Sequence, residues 1–254
     1  MKVLILCGGQ GTRAYPYTQR IPKALMPVAG RPVVEQVMRI YATQGFTEFV
    51  LAGGYLIEEI SRYFQIRPEW EVECVDTGAG TDTAGRVRRC LDRLGERFHV
   101  TYCDGLGDVN LQELVRFHAG HGDGATLTAC PLRSQYGILH WDDKGRVTQF
   151  VEKPVLADHW INAGFFVFDR ETFAGTEGEN LERDVLPALA EQESLRMFRH
   201  QGFWRSMDTY KDQQELDRLW HPYSVKLDGS RPASIEPLPS WLSHAFASAE
   251  EGPA

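Results

Sequence analysis

Lys2-Val3-Leu4-Ile5-Leu6-Cys7-Gly8-Gly9-Gln10-Gly11-Thr12-Arg13 stands at the start of the chain. Residues 2–7 form a short apolar run with no polar alternation, stopped by a glycine pair. Such a run reads as a strand buried on both faces, the pattern of a parallel sheet. A Gly- and Thr-rich loop follows, and the prolines between Pro16 and Pro27 keep it from forming a regular helix. Parallel strands need helical crossovers, and the next hundred residues supply them. A helix is expected over 32–44, started by Pro32 and ended near Gly45. Strands are expected at 47–52, 71–76 and 98–103, alternating with helices at 55–64, 84–94 and 110–120. That order implies a layered α/β domain with a largely parallel sheet.

Past residue 124 the pattern changes. Residues 125–131 and 136–141 are strand-like, Asp142-Asp143-Lys144-Gly145 is a turn, and 146–151 is strand-like again, a hairpin signal. A strand at 162–168, a helix at 180–191, a strand at 195–199 and a helix at 209–219 complete the domain. The change of pattern divides the expected domain into 1–124 and 125–221. Residues 222–254, rich in Pro, Ser, Ala and Glu, read as a loose or peripheral tail that Trp241 and Leu242 could anchor.

The bulk properties are those of a globular protein. The 254 residues are 43% hydrophobic and 24% charged, ordinary values, and enough to bury a core without staples. The net charge of −8 argues against a sequence-blind grip on nucleic acid, which needs a basic footprint. Five cysteines, an odd number with no CxxC, point to reduced thiols, and no apolar run is long enough to span a membrane. A cytoplasmic protein is expected.

The chemistry concentrates in Gly8-Gly9-Gln10-Gly11-Thr12-Arg13 and Pro22-Lys23. In open α/β sheets ligands bind at the carboxyl ends of strands. Glycines there let backbone N–H groups approach a polyphosphate. Arg13 offers a forked donor for phosphate oxygens, and Lys23 a compact charge. A dinucleotide fingerprint would need a third glycine and a helix starting in the loop; residue 14 is Ala, and no GxxxxGK[ST] pattern is present either. The loop reads as a phosphate cradle of another kind.

Together with Pro22-Lys23-Ala24-Leu25-Met26-Pro27-Val28-Ala29-Gly30-Arg31-Pro32, the glycine loop resembles the signature of the sugar-1-phosphate nucleotidyltransferase family almost position for position. Further matches are nearer to the glucose-1-phosphate cytidylyltransferases within it: Val75-Asp76-Thr77-Gly78, Thr83-Ala84-Gly85-Arg86, Asp104-Gly105, Glu152-Lys153-Pro154, Ile161-Asn162-Ala163-Gly164 and Met207-Asp208-Thr209. The resemblance implies a Rossmann-like three-layer α/β fold with a mixed, mostly parallel sheet and a small β-rich sugar-binding portion. It also implies transfer of a nucleoside monophosphate from an NTP, CTP foremost, to a sugar phosphate.

Residue by residue, it implies that Leu6, Gly8, Gly9, Gly11, Thr12, Arg13, Lys23, Thr83, Arg86 and Asp104 contact the nucleotide, with Arg13, Lys23 and Asp104 catalytic. Asp104 and Asp208 are implied to hold Mg²⁺, and Glu152, Lys153, Asn162 and Gly164 to meet the sugar. Gly164 would give the ligand close access to its strand. Taken alone, Asp208 reads equally as a helix cap and Arg86 as solvated helix surface. Only eleven residues separate Phe64 from Asp76, where the cytidylyltransferases carry a longer insertion, and Ala163 stands in place of a usual glycine. UTP, dTTP or GTP, a heptose or cyclitol phosphate acceptor, and a homo-oligomer therefore stay open, as does a non-catalytic protein that binds sugar nucleotides. His118 and His121 have HxxH spacing, but no third ligand is evident, and a solvated helix end is expected. Cys103 is expected to be a buried, inert thiol and Trp204 a packing residue or a stacking platform.

Overall fold

The structure, a computed structural model, describes residues 1–66 and 69–227. Its centre is a seven-stranded sheet. In chain order the strands are β1 (Val3–Leu6), the two-residue pair β2 (Pro27–Val28) and β3 (Arg31–Pro32), β4 (Glu48–Gly53), β5 (Glu71–Asp76), β6 (Arg97–Tyr102), β7 (Gly105–Gly107), β8 (Ala125–Arg133), β9 (Ile138–Trp141), β10 (Val147–Val151), β11 (Val155–Asp169), β12 (Leu195–Arg199) and β13 (Trp204–Ser206). The helices are α1 (Val33–Ala42), α2 (Ile57–Gln65), α3 (Thr83–Cys90), α4 (Leu111–His121), α5 (Arg170–Ala174), α6 (Leu186–Glu191) and α7 (Tyr210–Leu227), with a π-turn at Leu181–Val185 running into α6.

The sheet order is β12-β8-β11-β6-β1-β4-β5. β1 pairs in parallel with β4 and β6, and β4 with β5. β11 runs antiparallel to both β6 and β8, and β12 is parallel to β8. The unbroken apolar run of β1 finds its reason here. Val3 and Ile5 pack into the layer formed with α1, α2, α4 and α7, while Leu4 and Leu6 pack into the layer of α3, the π-turn and α6. A strand covered on both faces has no polar side to show. Residues on either side of 124 share this one sheet.

Two boundaries depart from the sequence reading, at β11 and at α7. β11 begins at Val155, ahead of the expected 162, because its first residues pair with the end of β8, Val155 opposite Arg133; Asp158 and His159 there gave no apolar signal. α7 runs through Pro222 to Leu227, so the start of the expected tail is helical; residues 228–254, with Trp241 and Leu242, lie outside the described residues. The β9–β10 hairpin forms as expected, yet as a sheet of its own. Among the described residues, no helix is long and apolar enough to cross a membrane.

The histidine pair is another correction. His118 is fully buried, not solvated. Its Nδ1 lies 2.9 Å from Thr126 Oγ1, which also lies 2.7 Å from His121 Nε2. Burial holds the pKa of both imidazoles below the usual value, so both are neutral clasps between α4 and β8. No group of three or more metal-ligating side chains exists among the described residues.

Candidate active site

Beyond the carboxyl ends of β1, β4 and β6 the chain encloses a cavity of about 540 Å³. Its floor is the glycine loop. Between Gly11 and Leu25 the chain makes three single-turn 3₁₀ segments in place of a helix, as the intervening prolines require. Leu6, Gly8, Gly9, Gly11, Thr12, Arg13 and Lys23 all line the cavity, with Asp104, Asp208, Thr83, Arg86 and Asn162.

Two carboxylates from distant parts of the chain meet in it. Asp104 follows the end of β6. Its neighbour β7 pairs antiparallel with β13, Ser206 opposite Gly105, and Met207 N–H donates to Asp104 O at 2.9 Å. That short ribbon brings Asp208 beside Asp104. Lys23 Nζ sits between them, 2.5 Å from Asp104 Oδ2 and 3.1 Å from Asp208 Oδ1. Arg13, largely exposed, reaches Asp208 Oδ1 at 2.9 Å. Burial works to lower the Lys23 pKa, but the charge and hydrogen bond of Asp104 outweigh it and hold the ammonium above its usual value.

The cap reading of Asp208 is overturned. Thr209 and Asp212 do the capping: Asp212 Oδ2 accepts from Asp208 N–H (3.1 Å), Thr209 N–H (2.8 Å) and Thr209 Oγ1–H (2.9 Å), and Asp212 N–H donates to Thr209 Oγ1 (3.2 Å). This reciprocal box leaves the Asp208 carboxylate to face the cavity.

Arg86 is 4% exposed, not solvated helix surface. Its guanidinium donates to Gly53 O and Thr77 Oγ1, each at 2.6 Å, and to Gly78 O and Gly8 O, each at 3.0 Å. It thereby ties together the loops that leave β1, β4 and β5. A Cβ on Gly8 would lie 2.1 Å from the Arg86 guanidinium carbon, so a larger residue there has to displace the guanidinium. Thr83 borders the cavity, but its hydroxyl donates to Glu182 Oε2 at 2.9 Å and accepts from Leu181 N–H at 2.8 Å. The first N–H groups of α3 are likewise taken: Thr83 N–H goes to Asp82 Oδ1, and Ala84 and Gly85 N–H both go to Glu179 O. The N–H groups at this helix end are therefore engaged within the protein.

On the acceptor side the expectations divide. The register Phe165 opposite Thr101 brings Asn162 and Ala163 level with the chain just past Tyr102, and both line the cavity. Glu152 and Lys153 do not; they lie at the end of β10, with Lys153 O accepting from Arg133. Gly164 does not line it either. Its φ is +79°, and a Cβ there would lie 2.4 Å from the Tyr102 ring, so this glycine makes room for that side chain.

Tyr102, Thr81 and Ser206 also line the cavity and were not anticipated; the polar residues flanking the Gly78 and Asp104 turns were the available signal. Trp204 lines it too, with Nε1–H donating to Ala163 O at 2.8 Å. Cys103 is buried, with burial pushing its thiol up to about 12, so the inert reading holds. All five cysteines are free.

Comparison with known proteins places this geometry. The nucleotidyl transferase family model matches residues 2–215. A probable glucose-1-phosphate cytidylyltransferase of Bacillus subtilis is 37% identical, covering 87% of this chain and 96% of that one. The glucose-1-phosphate cytidylyltransferase of Salmonella typhi is 33% identical with the same coverage. A mannose-1-phosphate guanyltransferase of Hypocrea jecorina is 31% identical, covering 84% of this chain and 62% of that one. Among solved structures, HddC from Yersinia pseudotuberculosis complexed with GMP-PN superposes with a TM-score of 0.66 at 19% identity, covering 86% of this chain and 99% of that one. A family match over most of the chain, joined to a glycine loop, a lysine and two converging carboxylates in one cavity, makes this protein a member of the nucleotidyl transferase family.

Proposed function

We propose that the enzyme, a sugar-1-phosphate nucleotidyltransferase, moves CMP from CTP to the phosphate of a sugar 1-phosphate, releasing pyrophosphate and giving a CDP-sugar. The observation that carries the reaction is the meeting of Asp104 and Asp208 on a single cation, Lys23 Nζ, beside the glycine loop. The base rests on likeness to the cytidylyltransferases.

The two carboxylates fit a divalent ion. They already converge on one positive centre, and Mg²⁺ takes one or two carboxylates with phosphate oxygens and water completing the shell. Asp104 and Asp208 would hold it, and when bound it would draw charge from the α-phosphate. Released from the carboxylates, Lys23 would pair with the phosphate that carries the new bond. Arg13, free to swing from Asp208, would hold the β- and γ-phosphates with the loop N–H groups. An oxygen of the sugar phosphate attacks the α-phosphorus in line, and the bond to the pyrophosphate oxygen breaks. A phosphate monoester is ionised near pH 7, so no general base is needed. The barrier falls through positioning and electrostatics.

A second reading, with UTP, dTTP or GTP and a heptose or cyclitol phosphate, is favoured by the short segment between Phe64 and Asp76 and by Ala163 in the acceptor wall. A matrix of four NTPs against a panel of sugar phosphates, scored by pyrophosphate release with saturating magnesium, decides. Turnover with CTP and a hexose 1-phosphate supports the first reading. Turnover confined to another pair supports the second, and none with any pair rejects both in favour of a non-catalytic binder.

A further inference from the structure

One wall of the cavity carries a chain of hydrogen bonds whose direction is fixed from end to end. Glu182 receives at both oxygens: Oε2 from the Thr83 hydroxyl at 2.9 Å, Oε1 from the Tyr102 hydroxyl. An ionised carboxylate only accepts, so both hydroxyl hydrogens must point at it. Tyr102 Oη is then left as an acceptor, and it receives Asn162 Nδ2 at 3.4 Å. The other end of that amide is held as well, Asn162 Oδ1 accepting Gly164 N–H at 2.8 Å. An Asn amide is ordinarily free to present either its oxygen or its nitrogen. Here both ends are assigned, and one N–H of Asn162 remains for whatever occupies the cavity.

Several local features serve this arrangement. Glu182 lies in the π-turn Leu181–Val185, whose start is capped by Asn180 Oδ1 accepting Glu182 N–H at 3.0 Å and Arg183 N–H at 2.8 Å. π-turns rotate side chains out of the helical sequence of directions and recur at functional sites. Gly164, at φ +79°, has no Cβ to collide with the Tyr102 ring, which a Cβ would meet at 2.4 Å. Burial, reinforced by the charge of Glu182, raises the Tyr102 pKa, so its hydroxyl stays protonated and keeps donating.

We propose that Glu182, acting through Tyr102, is a positioning residue that presents Asn162 as a hydrogen-bond donor to a hydroxyl oxygen of the acceptor sugar. The proposal deepens the reading of the cavity as a sugar-1-phosphate site and rests on it. Glu182 and Tyr102 act on specificity for the acceptor, not on the phosphoryl chemistry.

The test is steady-state kinetics of Tyr102→Phe and Glu182→Gln beside wild type, with fold checked by thermal unfolding. Tyr102→Phe keeps the ring against Gly164. Glu182→Gln keeps shape but can itself donate, which lets the chain reverse. Each is expected to raise KM for the sugar phosphate about tenfold, the effect of one well-made hydrogen bond, with KM for the NTP held within about twofold. Deoxy-sugar phosphates then locate the partner. With the analogue lacking the hydroxyl that Asn162 meets, the gap between wild type and Tyr102→Phe should close to a ratio of about one. An unchanged sugar KM, an equal rise in both KM values, or a gap that persists with every analogue overturns the proposal. If wild type turns over no pair, the functional reading has failed by itself. Calorimetric titration with glucose 1-phosphate then decides for the relay, a tenfold weaker Kd in Tyr102→Phe upholding it and equal affinity overturning it.

Discussion

Removing Arg86 should loosen the loops around the cavity before it touches any reacting atom. In Arg86→Ala four donated hydrogen bonds disappear, two of 2.6 Å and two of 3.0 Å. Bonds from a charged donor contribute roughly 1.5–3 kcal/mol each. Water from the adjoining cavity can re-satisfy part of the stranded carbonyls of Gly8, Gly53 and Gly78, so the sum is not reached. A loss of about 3–5 kcal/mol is expected, a large share of the 5–15 kcal/mol typical of a domain. Urea unfolding measures it. The structure also sets an internal control. Gly8→Ala would push a Cβ to 2.1 Å from the guanidinium carbon; the three atoms nearest that Cβ all belong to this guanidinium, and Gly8 has no positive φ. Gly8→Ala should therefore destabilise wild type strongly but add less than about 0.5 kcal/mol to Arg86→Ala. A loss under about 1 kcal/mol for Arg86→Ala, or additive losses in the double variant, would refute this account of the loops.

Three further outcomes are expected. Lys23→Ala and Asp104→Asn should each lower turnover at least about a hundredfold, the usual effect of deleting a main electrostatic element, measured by pyrophosphate release; full activity removes that residue from the mechanism. Asp212→Ala breaks the box that orients Asp208 and should reduce stability by about 1 kcal/mol while also reducing turnover; a stability loss with unchanged kcat would separate the cap from the site. His99 is fully buried, with its Nε2 unpartnered and its pKa pushed down to about 3 by burial. The unfolded chain binds this proton near pH 6.5 and the folded chain does not, so stability is full above pH 6.5 and falls by about 1.4 kcal/mol per pH unit below it. Denaturant melts from pH 6.5 to 4 should show His99→Leu with a slope shallower by about that amount, and an unchanged slope would contradict the burial argument.

How far the sequence could be read depended on whether a residue's partners were local. The apolar run of β1 and the glycine loop announce a buried parallel strand and an anion cradle from within a dozen residues. Lys23 and Arg13 follow from the same stretch. Asp208 was ambiguous because its freedom depends on Asp212, four residues on, taking over the cap. Arg86 reads as surface from its helical spacing, since the carbonyls that receive it come from three other loops. His118 likewise depends on Thr126, across the turn after α4. Glu152 and Lys153 were expected at the sugar on resemblance alone, and they follow β10 without joining the residues that line the cavity. Glu182 gave no signal, and nothing local joins it to Tyr102: their meeting requires β6 and the π-turn to be folded against each other.

β11 runs against every other strand of the main sheet, and its pairing with β8 slips between Leu156 and Trp160 and again between Asn162 and Phe166. The second slip starts at Asn162 and takes in Ala163, the two β11 residues that line the cavity. A sequence change there falls where the ladder is interrupted, while the glycine loop leaves a strand paired in unbroken parallel register on both sides. On the proposed function, acceptor preference could thus drift across descendants of this architecture by local edits to one strand, without renegotiating how the triphosphate is held.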